Sequence, residues 1–304
     1  MPSSPRLVVP GGPLVVIGGA EDKLGRTSVL RRFVDLAGGV GARIALCASA
    51  SSMGEEVTRL YETVFRSLGA EAVVPASPLS RVAADDPELV STVTDSTGIF
   101  FTGGNQLKLS QIVTGTAFGD AVVTAHRQGR TIGGTSAGAS VLSEHMVAFG
   151  TSGATPKNRI AQLAKGLGLL PGVVVDQHFG QRNRYGRLLS LVAQSPSLLG
   201  MGVDEDTAAV ITGARVLEVI GRGSVFVVDG GRAVSNAASA SRTKPLMVSG
   251  AVLHVLPAPH HFDLVDRRIV DPVSALHPGE AADLAAMTKD ARRVARQRTK
   301  QRPT

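Results

Sequence analysis

One ten-residue stretch, Thr131-Ile-Gly-Gly-Thr-Ser-Ala-Gly-Ala-Ser140, constrains this chain more than any other. A helical run from Thr116 to Gln128 precedes it; a short apolar strand then turns through glycines onto a serine and continues as small, helix-compatible residues. Within it lies Gly134-x-Ser136-x-Gly138, the pattern of a serine on a sharp strand-to-helix turn. Such a turn pushes the hydroxyl out above the sheet edge, and its glycines leave room for the neighbouring backbone. The free N–H groups of the new helix sit beside the hydroxyl and can receive a developing oxyanion. A glycine-rich βα turn without chemistry is the competing reading. The legible strand before it and helix after it favour the catalytic one.

The remainder of the first half repeats the strand–helix alternation. Leu14–Ile17, Arg43–Cys47, Ala72–Val74 and Gly98–Thr102 read as short buried strands. Between them, Arg26–Leu36 has apolar residues at helical spacing, Ser52 and Glu55 suggest a capping box for a helix through Leu68, and Pro87 opens another. Strands this apolar, alternating with helices, imply a parallel sheet covered on both faces, with the ligand site beyond the carboxyl ends of its strands. Three glycine pairs fall at such ends: Gly18-Gly19, Gly103-Gly104 and Gly133-Gly134. The first lacks the spacing of a dinucleotide fingerprint, so a Rossmann cofactor is not expected.

The second half has a different texture. Val173–Val175 runs into Asp176-Gln177-His178-Phe179, a helix rich in Arg and Leu covers Arg182–Val192, and Leu198–Val203 runs into Asp204-Glu205-Asp206. Short strands follow at 208–212, 216–220, 225–228 and 252–256, reading as an antiparallel extension on the same sheet or beside it. A single domain over residues 1–276 and a basic tail over 277–304 are the expected organisation. With 43% hydrophobic residues in 304, the chain can bury a sizeable core. No stretch approaches the ~20 apolar residues of a membrane span, and the expected location is the cytoplasm. Cys47, the single cysteine, reads as a small buried hydrophobe.

The net charge of +7 invites a nucleic-acid reading, but its location does not. Thr288–Thr304 holds seven basic residues and one acidic, so +6 of the +7 belongs to the tail and the body is nearly neutral. A solvated tail and a nonspecific polyanion anchor are both open; a specific nucleic-acid partner is not expected.

A serine nucleophile needs a base and an orienting acid. Of seven histidines, His178 alone sits just past a buried strand and inside a dense polar cluster. His126 is expected on a helix surface. No pair of histidines has metal-ligand spacing with carboxylates, so no metal is expected. The acid lies within Asp204-Glu205-Asp206; in an extended run the alternation of side chains would turn Glu205 alone towards His178.

These residues resemble the cyanophycinase family, within the serine peptidases that also include aspartyl dipeptidase (dipeptidase E). The matching pieces are Val16-Ile-Gly-Gly-Ala-Glu-Asp-Lys23, Phe101-Thr-Gly-Gly-Asn-Gln106, Gly134-Thr-Ser-Ala-Gly-Ala139 and Gly166-Leu-Gly-Leu-Leu170. Asp176-Gln-His-Phe179 with Arg182, Arg184 and Arg187, and Gly202-Val-Asp-Glu-Asp-Thr207, complete the set. The resemblance implies an α/β, flavodoxin-like sheet related to class I glutamine amidotransferases, flanked by helices and extended by antiparallel strands. It implies a homodimer without cofactor or metal, and a triad of Ser136, His178 and Glu205. Its substrate would be cyanophycin, poly-aspartate with arginine amide-linked to each side chain, cut into β-Asp-Arg dipeptides; aspartyl peptides are the alternative. Gly104 and Ala137, with Gly103, would hold the oxyanion. Asn105, Gln106, Asp176, Gln177, Arg182, Arg184 and Arg187, with Asp22 as a further carboxylate, would contact substrate. Arg184 and Arg187 lie on one helix face, where forked guanidinium groups suit a carboxylate. Both tail and 75–86 loop depart from the family pattern.

Overall fold

A computed structural model describes residues 10–213 and 215–270. The basic tail, and the domain boundary expected at 276, lie outside the described residues. Five parallel strands form the frame: β1 (Leu14–Ile17), β2 (Arg43–Cys47), β3 (Ala72–Pro75), β4 (Gly98–Phe101) and β5 (Thr131–Thr135). Helices α1 (Ser28–Leu36), α2 (Gly54–Ser67), α3 (Pro87–Thr94), α4 (Gln106–Val113) and α5 (Ala117–Arg127) connect them. The short α6 (Ala137–Val141) leaves the end of β5 and leads into a hairpin of β6 (His145–Gly150) and β7 (Ala161–Lys165).

From there the chain builds β8 (Val173–Gln177), α7 (Tyr185–Gln194), β9 (Leu199–Val203), β10 (Thr207–Thr212), β11 (Val216–Gly221) and β12 (Ser224–Asp229). It ends in a small ladder of β13 (Val234–Ser235) with β14 (Val248–Ser249), then β15 (Val252–Pro257), β16 (His261–Asp263) and β17 (Arg268–Val270). Two principal sheets result. The nine-stranded one has the order β17-β16-β11-β10-β1-β5-β4-β2-β3, and β10 joins β1 antiparallel. The second, β15-β12-β9-β8, is separate, with β8 and β9 parallel.

The period of two in the strands explains how these layers stack. Val15, Ile17, Ile44 and Leu46 face one side of the large sheet, where α1 and α2 bring Phe33, Tyr61 and Phe65 against Phe100. Burying each of these phenylalanines contributes about 1.5–3 kcal/mol. Leu14, Val16, Ala45 and Cys47 face the other side, packed with α4, α5, α6 and the inner faces of β8, β9 and β12. A second sheet, rather than helices alone, therefore covers part of this face. The strands from Val173 onward are split between two layers because β8 and β9 find their own partner in β12.

Three local expectations change. Ser52 does not cap α2: the helix starts at Gly54 with Met53 at the N-cap and no side-chain cap. The Met53 N–H instead goes to Ser51 Oγ at 3.0 Å, a local bond that competes with capping. Side-chain caps do form at Asp86, Asn105 and Thr116. His126 is fully buried rather than on a surface, because Gly11 and Gly12 close over the end of α5 and its Nε2 lies 2.9 Å from Gly12 O. Burial holds its pKa below the ordinary histidine value. The Arg-rich helix begins at Tyr185, later than Arg182. The β6–β7 hairpin carries no legible alternation and was not expected.

Candidate active site

The site forms where the carboxyl ends of β1, β4 and β5 meet the ends of β8 and β9. Gly18 and Gly19, just past β1, are the common attachment. The Ser136 N–H donates to Ile17 O (3.0 Å), the His178 N–H to Gly18 O (2.8 Å) and the Asp206 N–H to Gly19 O (2.9 Å). Gly19 has φ 102°, and a Cβ there would lie 2.4 Å from His178 Cε1. Only glycine lets the backbone come this close to the ring.

Ser136 has φ 52° and ψ −110°, a strained conformation for a residue with a side chain, and it stands at the N-cap of α6. The packing enforces it: a Cβ at Gly134 would meet Gly138 O at 2.2 Å. Ala20, His178 and Asp206 also have φ near +50°. Strain concentrated in this way is a mark of functional sites. The Ser136 hydroxyl is 3.0 Å from His178 Nε2, and His178 Nδ1 is 2.6 Å from Glu205 Oε1. Burial holds the His178 pKa below the ordinary histidine value, and the charges of Arg182 and Arg184 add to this. Glu205 opposes them. This shift favours the neutral imidazole, the form able to accept a proton.

Glu205 reaches His178 for a reason other than strand alternation. Residues 205–206 form a turn between β9 and β10, with Asp206 at φ 50°. Asp204 is turned inward, accepting N–H bonds from Gly180 (2.9 Å) and Ser224 (3.1 Å). Asp206 accepts from the Asp22 N–H at 2.8 Å. The Gln181 side chain accepts the Glu205 N–H at 3.0 Å. Each of the three acids therefore has one distinct task, and Glu205 alone is left for the histidine.

The Gly103-Gly104 turn closes on the serine: a Cβ at Gly103 would be 3.3 Å from Ser136 Cβ. As the first helical residue, Ala137 has an N–H without an intrahelical acceptor. Asn105 is exposed beside this turn, its Oδ1 accepting from Lys108 N as the cap of α4. Gln106 instead donates its side-chain N–H groups to Val147 O (3.2 Å) and Ala148 O (3.1 Å), tying α4 to the hairpin.

The arginine cluster differs from the expectation of a free carboxylate fork. Asp176 and Arg187 are 1% and 2% exposed. Arg187 Nε donates to Asp176 Oδ2 at 2.6 Å and its NH2 group to Oδ1, with a further bond from NH1 to Gly150 O at 3.0 Å. A buried acid and a buried arginine satisfy one another here. Arg184 donates to Gln177 Oε1 (2.9 Å) and Gln177 O, and stands 3.3 Å from Asp176 Oδ1. Burial, aided by Arg187 and Arg182 and opposed by Asp176, pushes its pKa down to about 10. Gln177 is buried with it, whereas Arg182 is exposed next to His178. Asp22 accepts N–H bonds from Leu24, Gly25 and Arg26 in its own loop, which hold its carboxyl below the usual range.

Sequence reasoning missed Glu21. This buried carboxylate accepts the Tyr61 hydroxyl and the Thr135 hydroxyl (2.6 Å), and pairs with Lys23 at 3.0 Å. It braces the residue just before Ser136 from behind. An acidic residue two positions past the glycine pair that ends an apolar strand was the available signal. Among the described residues no group of three His, Cys, Asp or Glu side chains could hold a metal ion, and no helix is long and apolar enough to cross a membrane.

Comparison with known proteins fits this geometry. The model of peptidase family S51 matches residues 14–219. Cyanophycinase of Geminocystis herdmanii is 38% identical over 86% of this chain and 96% of its own length. Cyanophycinase of Nostoc sp. is 39% identical, covering 86% of this chain and 88% of its own. That of Thermosynechococcus vestitus is 42% identical, covering 81% and 77%. A crystal structure of a peptidase from an acI-B1 Actinobacterium superposes with a TM-score of 0.56 at 23% identity, over 81% of this chain and 98% of that one, which establishes a shared fold.

Proposed function

Because the chain belongs to peptidase family S51, we propose that it is a serine-type cyanophycinase, hydrolysing cyanophycin to β-Asp-Arg dipeptides through an acyl-enzyme. The observation that carries the reading is the continuous relay of Ser136, His178 and Glu205 at 3.0 and 2.6 Å. His178 takes the hydroxyl proton as Ser136 attacks a backbone carbonyl of the polymer. Glu205 stabilises the resulting imidazolium. The N–H groups of Ala137 and the Gly103-Gly104 turn receive the oxyanion. His178 then protonates the leaving amine, and water, deprotonated in turn by His178, releases the dipeptide. No step calls on a metal or cofactor.

Substrate contacts in this reading fall to Arg182, exposed next to the histidine, and to Asn105, exposed next to the oxyanion turn. Arg184, Gln177, Gln106, Asp176 and Arg187 shape the wall from behind. The enzyme acts as a cytoplasmic homodimer, a state that light scattering can check. The test is release of β-Asp-Arg from cyanophycin. Ser136→Ala should abolish it, a loss on the order of 10⁴–10⁶ in rate, with the fold retained. A folded Ser136→Ala protein keeping a tenth of the activity would remove the serine from this role.

A further inference from the structure

A second opening lies next to the oxyanion turn and takes no part in the relay above. It is a cleft of about 600 Å³ at the carboxyl ends of β2 and β3, walled by the first two turns of α2 and by Lys108 of α4. It neighbours the Gly103-Gly104 turn through the segment Ala48–Ser52. The Asn105 N–H donates to Ala50 O at 2.9 Å, a Cβ on Gly104 would meet that same oxygen at 2.2 Å, and Lys108 Nζ lies 3.4 Å from Ser51 O. The cleft thus begins where the turn that abuts Ser136 ends.

Its charges are mixed and open. Glu55 and Arg59 project from α2 on one side and Lys108 from α4 on the other; among the described residues none of the three enters an ion pair. Glu62, deeper along α2, pairs only with Arg66 of its own helix at 3.1 Å. Leu79, 78% exposed, and Pro75 supply an apolar rim. Unpaired charges of both signs flanking an apolar strip suit a ligand that carries a cation and an anion on a methylene stem.

We propose that this cleft is a polymer subsite. It holds a neighbouring repeat unit of the substrate, with a carboxylate at Lys108, a guanidinium at Glu55 and the methylene stem along Leu79. The inference rests on the functional reading above and adds where the uncut chain lies. A subsite of this kind matters only for substrates long enough to reach it, so kcat/KM rises with length in the wild type.

The experiment is steady-state kinetics on soluble β-Asp-Arg oligomers of increasing length, with wild type, Lys108→Met and Glu55→Gln. Exposed charge contacts of this kind contribute modestly, so each variant should lose roughly three- to fivefold in kcat/KM on the longer oligomers. The shortest cleavable oligomer should be cut at the wild-type rate, and added salt should narrow the length effect. Equal kinetics of wild type and variants at every length would overturn the subsite. So would an equal loss at every length, which would assign both residues to the serine site itself. Wild-type protein that cleaves no oligomer and no polymer would overturn the functional reading, and the subsite with it.

Discussion

Gly19→Ala tests whether the close approach of β1 to the histidine sets the reaction geometry. The added Cβ would lie 2.4 Å from His178 Cε1 and 2.5 Å from Nε2. Non-bonded carbons rest at about 3.5–4.0 Å, so the ring must retreat by roughly 1 Å. The Ser136–His178 contact of 3.0 Å has no slack for this. A 1 Å misplacement of a reacting group costs on the order of 10²-fold in rate. The φ of 102° adds strain, costing on the order of 1–3 kcal/mol of stability. Peptide release should therefore fall about a hundredfold, while circular dichroism and a urea titration report a folded, mildly destabilised protein. Gly19→Ala with more than half of the wild-type kcat/KM would refute the argument that this contact fixes the imidazole.

Glu205→Gln should lower kcat by ~10³–10⁴. Since Glu205 is what raises the His178 pKa against burial, the surviving activity should keep its acid limb at a lower pH than wild type, while Arg182→Gln should move that limb upward; a pH profile of kcat/KM showing opposite shifts would contradict the assignment. Asp204→Asn should spare the relay and weaken the fold, because its oxygens serve backbone N–H groups. Arg187→Ala should act on stability first, since breaking a buried ion pair costs about 3–5 kcal/mol; urea unfolding checks it, and unchanged stability with a raised KM would return Arg187 to the substrate.

The elbow, the histidine and the acidic trio could be read from the chain because each sits at the end of a short apolar strand, where the fold class already puts chemistry. Of Asp204, Glu205 and Asp206, the side chain that lies against His178 is that of Glu205, for a reason the strand period does not contain. A turn with Asp206 at positive φ presents the side chain, and two backbone partners retain Asp204. The burial of Arg187 was not legible because charge on a helix face suggests solvent, whereas burial depends on what packs over it; here the hairpin strand β6 supplies Gly150 O to Arg187, and Asp176 at the end of β8 lies beneath it. His126 misled in the same way. Its cover comes from Gly11 and Gly12, more than a hundred residues away in sequence. The second sheet was illegible because β8 and β9 look like any buried parallel pair until β12 is known to join them.

The nucleophile belongs to one sheet and its base to the other. Ser136 follows β5 of the nine-stranded sheet, His178 follows β8 of the four-stranded one, and Glu205 occupies the chain crossing between them. The His178 N–H bond to Gly18 O ties the end of β8 to the end of β1 and so couples the two sheets at this point. Losing that alignment would disconnect the proton relay even if each sheet kept its own ladder of hydrogen bonds. The reaction centre is in that sense a vernier for the alignment of the two layers. Substitutions in the apolar interface, such as at Met201 or Val203 opposite the large sheet, should act on the chemistry without touching any residue of the relay, which kcat/KM measured beside a urea titration would check.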